Sequence, residues 1–104
     1  MFVFYVPFPS KETAQELAKN AVTQGFARCA NILAPVESFY MYGEPGTEET
    51  LCCDQEIPVI FKVELTQKDA FEAFMEQAHP YDIPAIICFA VSANKSFEEW
   101  IQGH

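Results

Sequence analysis

Two amphipathic helical segments alternate with long β-prone stretches, and this alternation constrains the fold more than any other feature of the sequence. The first helix is bounded by Ser10, a typical N-cap, and by Gly25, a typical C′ residue. Between them, apolar residues recur at the spacing of one helix face. They are Ala14, Leu17, Ala18, Ala21 and Val22.

The second helical segment begins after Thr66–Asp69, which resembles a capping box with Asp in place of Glu, and ends at His79 because Pro80 follows. Its apolar face consists of Phe71, Phe74, Met75 and Ala78. A short C-terminal helix is predicted from Ser96–Glu99, a complete capping box, followed by the apolar residues Trp100 and Ile101.

The remaining segments predict strands. Residues 2–6 form an apolar β-prone run that Pro7 and Pro9 stop, and residues 29–42 read as one long strand interrupted at Pro35. A polar turn over 43–50 leads to a strand that begins at Glu56 and alternates as far as Leu65. Residues 83–91 are a further apolar strand.

The predicted order is therefore β-α-β-β-α-β with an added C-terminal helix. This is the pattern of an α+β, ferredoxin-like sandwich, in which one antiparallel sheet carries both helices on one face. The second and third strands form a long hairpin. With 104 residues and no evident linker or repeat, the chain is predicted to be a single domain, residues 1–104.

Half of the residues are apolar, including ten Phe, which is a rich supply for so small a domain. In this fold the sheet face opposite the helices has no cover within one chain. A bare apolar face favours aggregation unless it is buried. We therefore expect self-association into a closed cyclic assembly, which would also protect the edges of the hairpin.

The net charge is −9, from fifteen acidic and six basic residues. Such a surface repels phosphate, so neither nucleic acid nor an anionic membrane is an expected partner. No apolar run approaches the roughly 20 residues of a membrane span. The opening residues 1–6 lack the basic region of a signal peptide, and the four cysteines include no C-x-x-C. A cytoplasmic location with free thiols is predicted.

Four stretches of the sequence resemble those of a known family. Ala27–Ile32 is similar to an Ala-x-Cys-x-Asn-Ile run, Ser38–Tyr42 resembles Ser-Ile-Tyr-x-Trp, and His79–Pro84 matches His-Pro-Tyr-x-x-Pro. Phe97–Ile101 is similar to a closing Tyr-Leu-x-Trp-Ile. Their order and spacing over nearly the whole chain resemble the CutA divalent-cation-tolerance family.

The resemblance implies a very stable homotrimer, associated with tolerance to divalent metals and able to bind copper in some members. The sequence departs from the family at three places. Tyr5 stands where some copper-binding members have a first-strand cysteine, and Tyr42 replaces the Trp of the hairpin. The segment from Gly43 to Asp54 is about five residues longer than is usual in the family.

Three residues are candidate metal ligands by this resemblance: His79, Glu56 and Cys29. His79 follows a helix C-terminus, where the dipole favours a protonated imidazole, and its structural alternative is to cap carbonyls and position Pro80 and Tyr81. The alternative for Glu56 is a solvated charge at the strand edge. Cys29 is most simply a small buried hydrophobe, as is Cys88. Cys29 and Cys88 are expected at opposite sheet edges, too far apart to bridge.

Cys52 and Cys53, followed by Asp54 and Glu56, form a cluster that could bind Cu⁺ or Zn²⁺. Adjacent sulfurs in an extended chain point apart, however, and incidental loop cysteines are the favoured interpretation.

No nucleophile elbow, P-loop or H-E-x-x-H occurs, so the chain is not expected to be an enzyme or to require a cofactor. The alternatives to a metal-tolerance trimer are a PII-like trimeric small-molecule sensor and an assembly module without ligand.

Overall fold

The secondary-structure elements follow the predicted order in a computed structural model that describes residues 1–103. They are β1 (Phe2–Phe8), α1 (Lys11–Thr23), β2 (Cys29–Ile32), β3 (Val36–Tyr42), β4 (Thr50–Val63), a 3-10 turn (Leu65–Gln67), α2 (Lys68–Ala78), β5 (Ile87–Ala90) and α3 (Lys95–Gln102). Strands β2 and β3 are the two parts of the segment that was predicted to be interrupted at Pro35.

The sheet has the strand order β2-β4-β1-β5, and every neighbouring pair is antiparallel. Strand β3 pairs with the first half of β4, from Val36 opposite Glu56 to Tyr42 opposite Thr50. The fourteen-residue strand β4 therefore joins the main sheet to a long β3–β4 hairpin. This is the order of a ferredoxin-like α+β sandwich, so the predicted fold class is confirmed.

The core lies between the helices and one face of the sheet. Phe71 of α2 is fully buried, and its ring lies 4.5 Å from the ring of Phe4 and 4.9 Å from that of Phe61. The buried face of α1 contributes Ala14, Leu17, Ala18 and Ala21, as the helical spacing predicts. Val22 and Ala78, assigned to the two helix faces, are instead exposed.

The opposite face of the sheet remains accessible within one chain. Phe89 and Ile87 of β5 are 53% and 46% exposed, and they lie opposite Val3 and Tyr5 of β1, which are half-buried. Large apolar side chains thus line a sheet surface that α1 and α2 do not bury. This finding matches the expected bare face on which self-association was predicted.

The two ends of α1 confirm their predicted caps. The Ser10 side chain accepts a hydrogen bond from the Thr13 amide at 3.2 Å, and Gly25 has the positive φ, 82°, of a left-handed C′ residue. Both predicted capping boxes, by contrast, were wrong. The N-cap of α2 is Gln67 and that of α3 is Asn94, and neither side chain caps its helix.

The strand limits differ from prediction at three places. Strand β1 continues through Pro7, which lies opposite Pro58 in the register, so neither proline breaks the pairing. Strand β4 begins at Thr50 rather than Glu56, because pairing with β3 extends it through the supposed loop. Strand β5 covers only Ile87–Ala90, which leaves the segment between α2 and β5 irregular.

All four cysteines are free thiols, and strands β2 and β5, which carry Cys29 and Cys88, lie at opposite edges of the sheet as expected. Cys88 packs against the core, and burial raises its thiol pKa. Cys29 is only half-buried, whereas its neighbour Ala30 packs against the core. No helix among residues 1–103 is long and apolar enough to cross a membrane.

Candidate binding cleft

A cleft of about 690 Å³ lies where the β3–β4 hairpin meets the irregular segment after α2. Aromatic and acidic side chains dominate its lining, and among residues 1–103 no Lys, Arg or His belongs to it. The hairpin contributes Ser38, Phe39, Tyr40, Tyr42, Asp54 and Glu56, and the remaining lining residues are Pro7, Tyr81, Asp82, Ile83 and Ala85. We call this the aromatic–acidic cleft.

Tyr81 connects the two walls of the cleft. Its hydroxyl donates a hydrogen bond to Glu56 Oε2 at 2.8 Å, and its backbone amide donates to Nδ1 of His79 at 3.1 Å. Burial and the nearby Glu56 carboxylate together raise the pKa of the Tyr81 hydroxyl. Tyr81 is therefore a neutral, fixed wall of the cleft at physiological pH.

His79 is the C-cap of α2 and lies beneath this wall, 6% exposed. Its Nε2 lies 2.8 Å from the Pro7 carbonyl oxygen, and its ring stacks on Phe8 with centroids 4.7 Å apart. Because Nδ1 accepts from Tyr81 and Nε2 faces a carbonyl, the neutral Nε2–H tautomer satisfies both nitrogens. Burial lowers the His79 pKa, so the protonated form expected from the helix dipole is disfavoured.

Tyr40 and Asp54 form a second tyrosine–carboxylate pair on the hairpin. The Tyr40 hydroxyl donates to Asp54 Oδ2, and this hydrogen bond is the main reason why the pKa of Tyr40 rises to about 12. Asp54 and Glu56 lie two residues apart on one face of β4, at a spacing of about 7 Å. The cleft thus presents two carboxylates side by side, each held through one oxygen by a tyrosine.

Cys52 and Cys53 lie within strand β4, not in a loop. Side chains alternate along a strand, so Cys52 shares the face of Asp54 and Glu56, whereas the exposed Cys53 points to the opposite side. The Cys52 thiol lies 3.6 Å from the Thr50 carbonyl oxygen. The expectation that the two sulfurs point apart agrees with this strand geometry.

The three candidate metal ligands do not converge in one chain. His79 and Glu56 both contact Tyr81, whereas Cys29 lies opposite Lys62, six residues along β4 from Glu56 and about 20 Å away. Within residues 1–103 no group of three or more His, Cys, Asp or Glu is placed to hold a metal ion. Metal binding by His79, Glu56 and Cys29 therefore stays a prediction.

The sequence did not reveal the pairing of Tyr40 with Asp54, because the two residues are fourteen positions apart and Asp54 was assigned to a loop. A signal was nevertheless present. Ser38, Tyr40 and Tyr42 alternate along β3, and Cys52, Asp54 and Glu56 alternate along β4, as one shared polar and aromatic face of a hairpin requires. Extending the predicted strand back to Thr50 would have exposed this pattern.

These features define a class: small α+β domains of ferredoxin-like order with a long hairpin and an irregular segment after the second helix. The family model described as the CutA1 divalent ion tolerance protein matches residues 2–104. This chain belongs to the CutA family.

Relatives and solved structures agree with that membership. The divalent-cation tolerance protein CutA of Pyrococcus horikoshii is 33% identical over 105 residues, which cover 97% of this chain and 94% of the relative. The chloroplastic CutA 1 of Oryza sativa is 31% identical, covering 96% of this chain and 54% of the relative. The structure of the periplasmic CutA of Archaeoglobus fulgidus superposes with a TM-score of 0.86 at 26% identity, covering 97% and 95% of the two chains.

The chain spans about half the length of the rice relative and nearly all of the archaeal one. The relatives' names also differ in location, since one is chloroplastic and one periplasmic. The family and the fold are thus shown over almost the whole chain, whereas a cytoplasmic location stays a prediction.

Proposed function

We propose that this divalent-cation-tolerance protein is a non-enzymatic homotrimer. The observation that carries the proposal is the bare sheet face, on which Phe89 and Ile87 are about half exposed beside Val3 and Tyr5. Burying such a surface between copies is favourable by about 25 cal/mol per Å² of apolar area. A closed ring of identical copies would bury this surface on every copy and leave no exposed apolar face.

Light scattering after size-exclusion chromatography tests the assembly. A homotrimer has about three times the chain mass of 11.8 kDa, and it should persist at micromolar concentration. A stable 11.8 kDa monomer would overturn the proposal. A cytoplasmic location is proposed with it, supported by four free thiols of the kind that a reducing compartment maintains, and cell fractionation tests it.

We propose that divalent metal binding, with copper as the first candidate, involves Glu56 and His79 and needs ligands from neighbouring copies. One oxygen of Glu56 accepts a hydrogen bond from Tyr81, and the two ring nitrogens of His79 are hydrogen-bonded to Tyr81 and Pro7. Most of the atoms that could coordinate a metal are therefore already occupied within one chain. Isothermal titration with Cu²⁺ and Zn²⁺ tests this on the parent, Glu56→Gln and His79→Ala. Heats that match the parent in both variants would remove these residues from metal binding.

A second candidate function, a small-molecule sensor resembling the PII-like trimers, is favoured by the aromatic–acidic cleft. The charge of the residues that line the cleft limits which ligands such a sensor could bind. Asp54, Glu56 and Asp82 line it, and no basic side chain among the described residues does, so phosphate groups would meet repulsion there. Thermal-shift screening with a panel of nucleotides tests the sensor, and a flat response across the panel would leave it without support.

A further inference from the structure

We propose that the aromatic–acidic cleft binds an organic ammonium ion, with an alkyl diamine as the ligand that uses both hairpin carboxylates. This goes beyond metal tolerance and requires no metal. The cleft has a volume of about 690 Å³, within the range of small-molecule sites. Its lining residues decide which chemistry fits.

The charge of the lining selects a cation. Asp54, Glu56 and Asp82 contribute carboxylates, and no lining residue in the described part of the chain carries a positive charge. Within residues 1–103, the second oxygen of Asp54 and of Glu56 has no hydrogen-bond or ion-pair partner, because each tyrosine uses only one oxygen. Both carboxylates therefore keep an acceptor for an N⁺–H donor.

The aromatic walls favour an organic cation over a metal ion. Tyr40, Tyr42 and Tyr81 line the same cleft, and aromatic faces attract ammonium groups and pack against alkyl chains. A transition metal would instead need several converging donors, and residues 1–103 bring together no group of three His, Cys, Asp or Glu. An ammonium ion needs only hydrogen-bond acceptors and a π surface.

The spacing of the two carboxylates favours a ligand with two amines. Asp54 and Glu56 alternate on one strand face, so they lie about 7 Å apart along β4. One amine can donate to each carboxylate while the alkyl chain between them contacts the tyrosine rings. A monoamine can use only one of these contacts and should bind more weakly.

Two of the three tyrosines that line the cleft are held in place before any ligand arrives. Tyr81 is fixed through its hydroxyl by Glu56 and through its amide by His79, and its ring lies 4.8 Å from the His79 ring. Tyr40 is fixed by Asp54. Since the walls are already ordered, binding requires little loss of side-chain entropy.

Isothermal titration of the assembled protein with 1,4-diaminobutane in 150 mM salt tests the proposal. We expect saturable binding with one ligand per chain, weaker binding of 1-aminobutane, and little competition from Mg²⁺. Asp54→Asn keeps an acceptor for Tyr40 but removes one charge, so affinity should fall by about three- to tenfold. Glu49→Gln, in the hairpin outside the cleft, makes the same charge change and should bind like the parent.

Three results would overturn the proposal: no saturable binding by the parent, equal weakening in Asp54→Asn and Glu49→Gln, or full displacement of the amine by Mg²⁺. The first denies the site, the second leaves only general attraction to an acidic surface, and the third indicates a site for inorganic cations. Circular dichroism confirms that each variant is folded. The first two results leave the trimer mass and Cu²⁺ binding untouched, whereas displacement by Mg²⁺ would favour divalent-cation binding at Glu56, so failure of the amine proposal is distinguishable from failure of the metal proposal.

Discussion

The hydroxyl of Tyr81 donates to Glu56 Oε2 at 2.8 Å, and this bond joins the segment after α2 to the β3–β4 hairpin. The two residues are 25 positions apart in the chain, so the contact depends on the tertiary fold. It sets the position of one wall of the aromatic–acidic cleft relative to the other. Tyr81 is itself held by His79, which makes the three residues one connected unit.

Tyr81→Phe should lower the free energy of unfolding by about 1–2 kcal/mol. A hydrogen bond to a charged partner contributes about 1.5–3 kcal/mol, and the partial exposure of both residues reduces that figure. Urea unfolding, followed at one fixed protein concentration, measures the change.

The matched control for this change is Tyr42→Phe. Tyr42 lines the same cleft, is 53% exposed, and its hydroxyl has no hydrogen-bond partner within residues 1–103. Its removal should change the free energy of unfolding by less than about 0.5 kcal/mol. Equal effects of the two substitutions would mean that the bond to Glu56 contributes nothing to stability.

His79 should make stability fall as the pH decreases from 7 toward 5. Burial lowers the pKa of His79 in the folded state below its ordinary value of 6.5, so the unfolded chain binds the proton more readily. The His79 contribution is complete above the unfolded pKa and decreases as the pH falls toward the folded pKa. The slope from this one group cannot exceed about 1.4 kcal/mol per pH unit.

Urea unfolding at several pH values in the presence of a chelator measures this slope. His79→Gln is the informative variant, because its amide can still donate to the Pro7 carbonyl but does not titrate. The variant should lose the part of the slope between pH 5 and 7, while carboxylate titration at lower pH remains common to both proteins. Identical profiles would show that His79 does not titrate differently on folding.

The fold was predictable because both helices bury their apolar faces against a sheet, and burial imposes helical and alternating periods on the sequence. The strand limits were not predictable, because hydrogen bonding to a neighbouring strand can keep a segment extended even where its own sequence does not favour a strand. Thr50–Gln55 carries mixed polar and apolar residues without a core to face, and pairing with β3 makes it a strand. The intrinsic strand propensity of these residues does not reveal that β3 pairs with them.

The site was predicted only in part for a similar reason. The His79–Pro84 motif belongs to the segment that lines the aromatic–acidic cleft, and the alternative role for His79, positioning Tyr81, agrees with its bond to the Tyr81 amide. The Glu56 bond to Tyr81 and the Asp54 bond to Tyr40 connect residues far apart in the chain. Such contacts depend on strand register, which the motif spacing does not encode.

The caps give a direct comparison of a confirmed and a wrong prediction. Ser10→Ala should cost about 1 kcal/mol of unfolding free energy, because its side chain accepts the Thr13 amide at the start of α1. Ser96→Ala should cost less than about 0.5 kcal/mol, because Asn94 is the N-cap of α3 and Ser96 caps no amide there. Thermal or urea unfolding of both variants measures these costs. Equal decreases in the free energy of unfolding would contradict the assignment of the caps.

Phe89→Glu should convert the proposed trimer into a monomer while leaving the fold intact. Phe89 is 53% exposed in one chain, so a glutamate there stays hydrated in the monomer, but burying its charge between copies without a partner costs several kcal/mol.

The matched control is Leu65→Glu, which places the same charge at a residue 56% exposed in the 3-10 turn, away from the sheet face. Light scattering should give about 11.8 kDa for Phe89→Glu and three times that mass for the control. If Phe89→Glu keeps the parent mass, the bare face around β5 does not form the contact between copies, and dissociation of both variants would instead show that added negative charge alone disrupts the assembly.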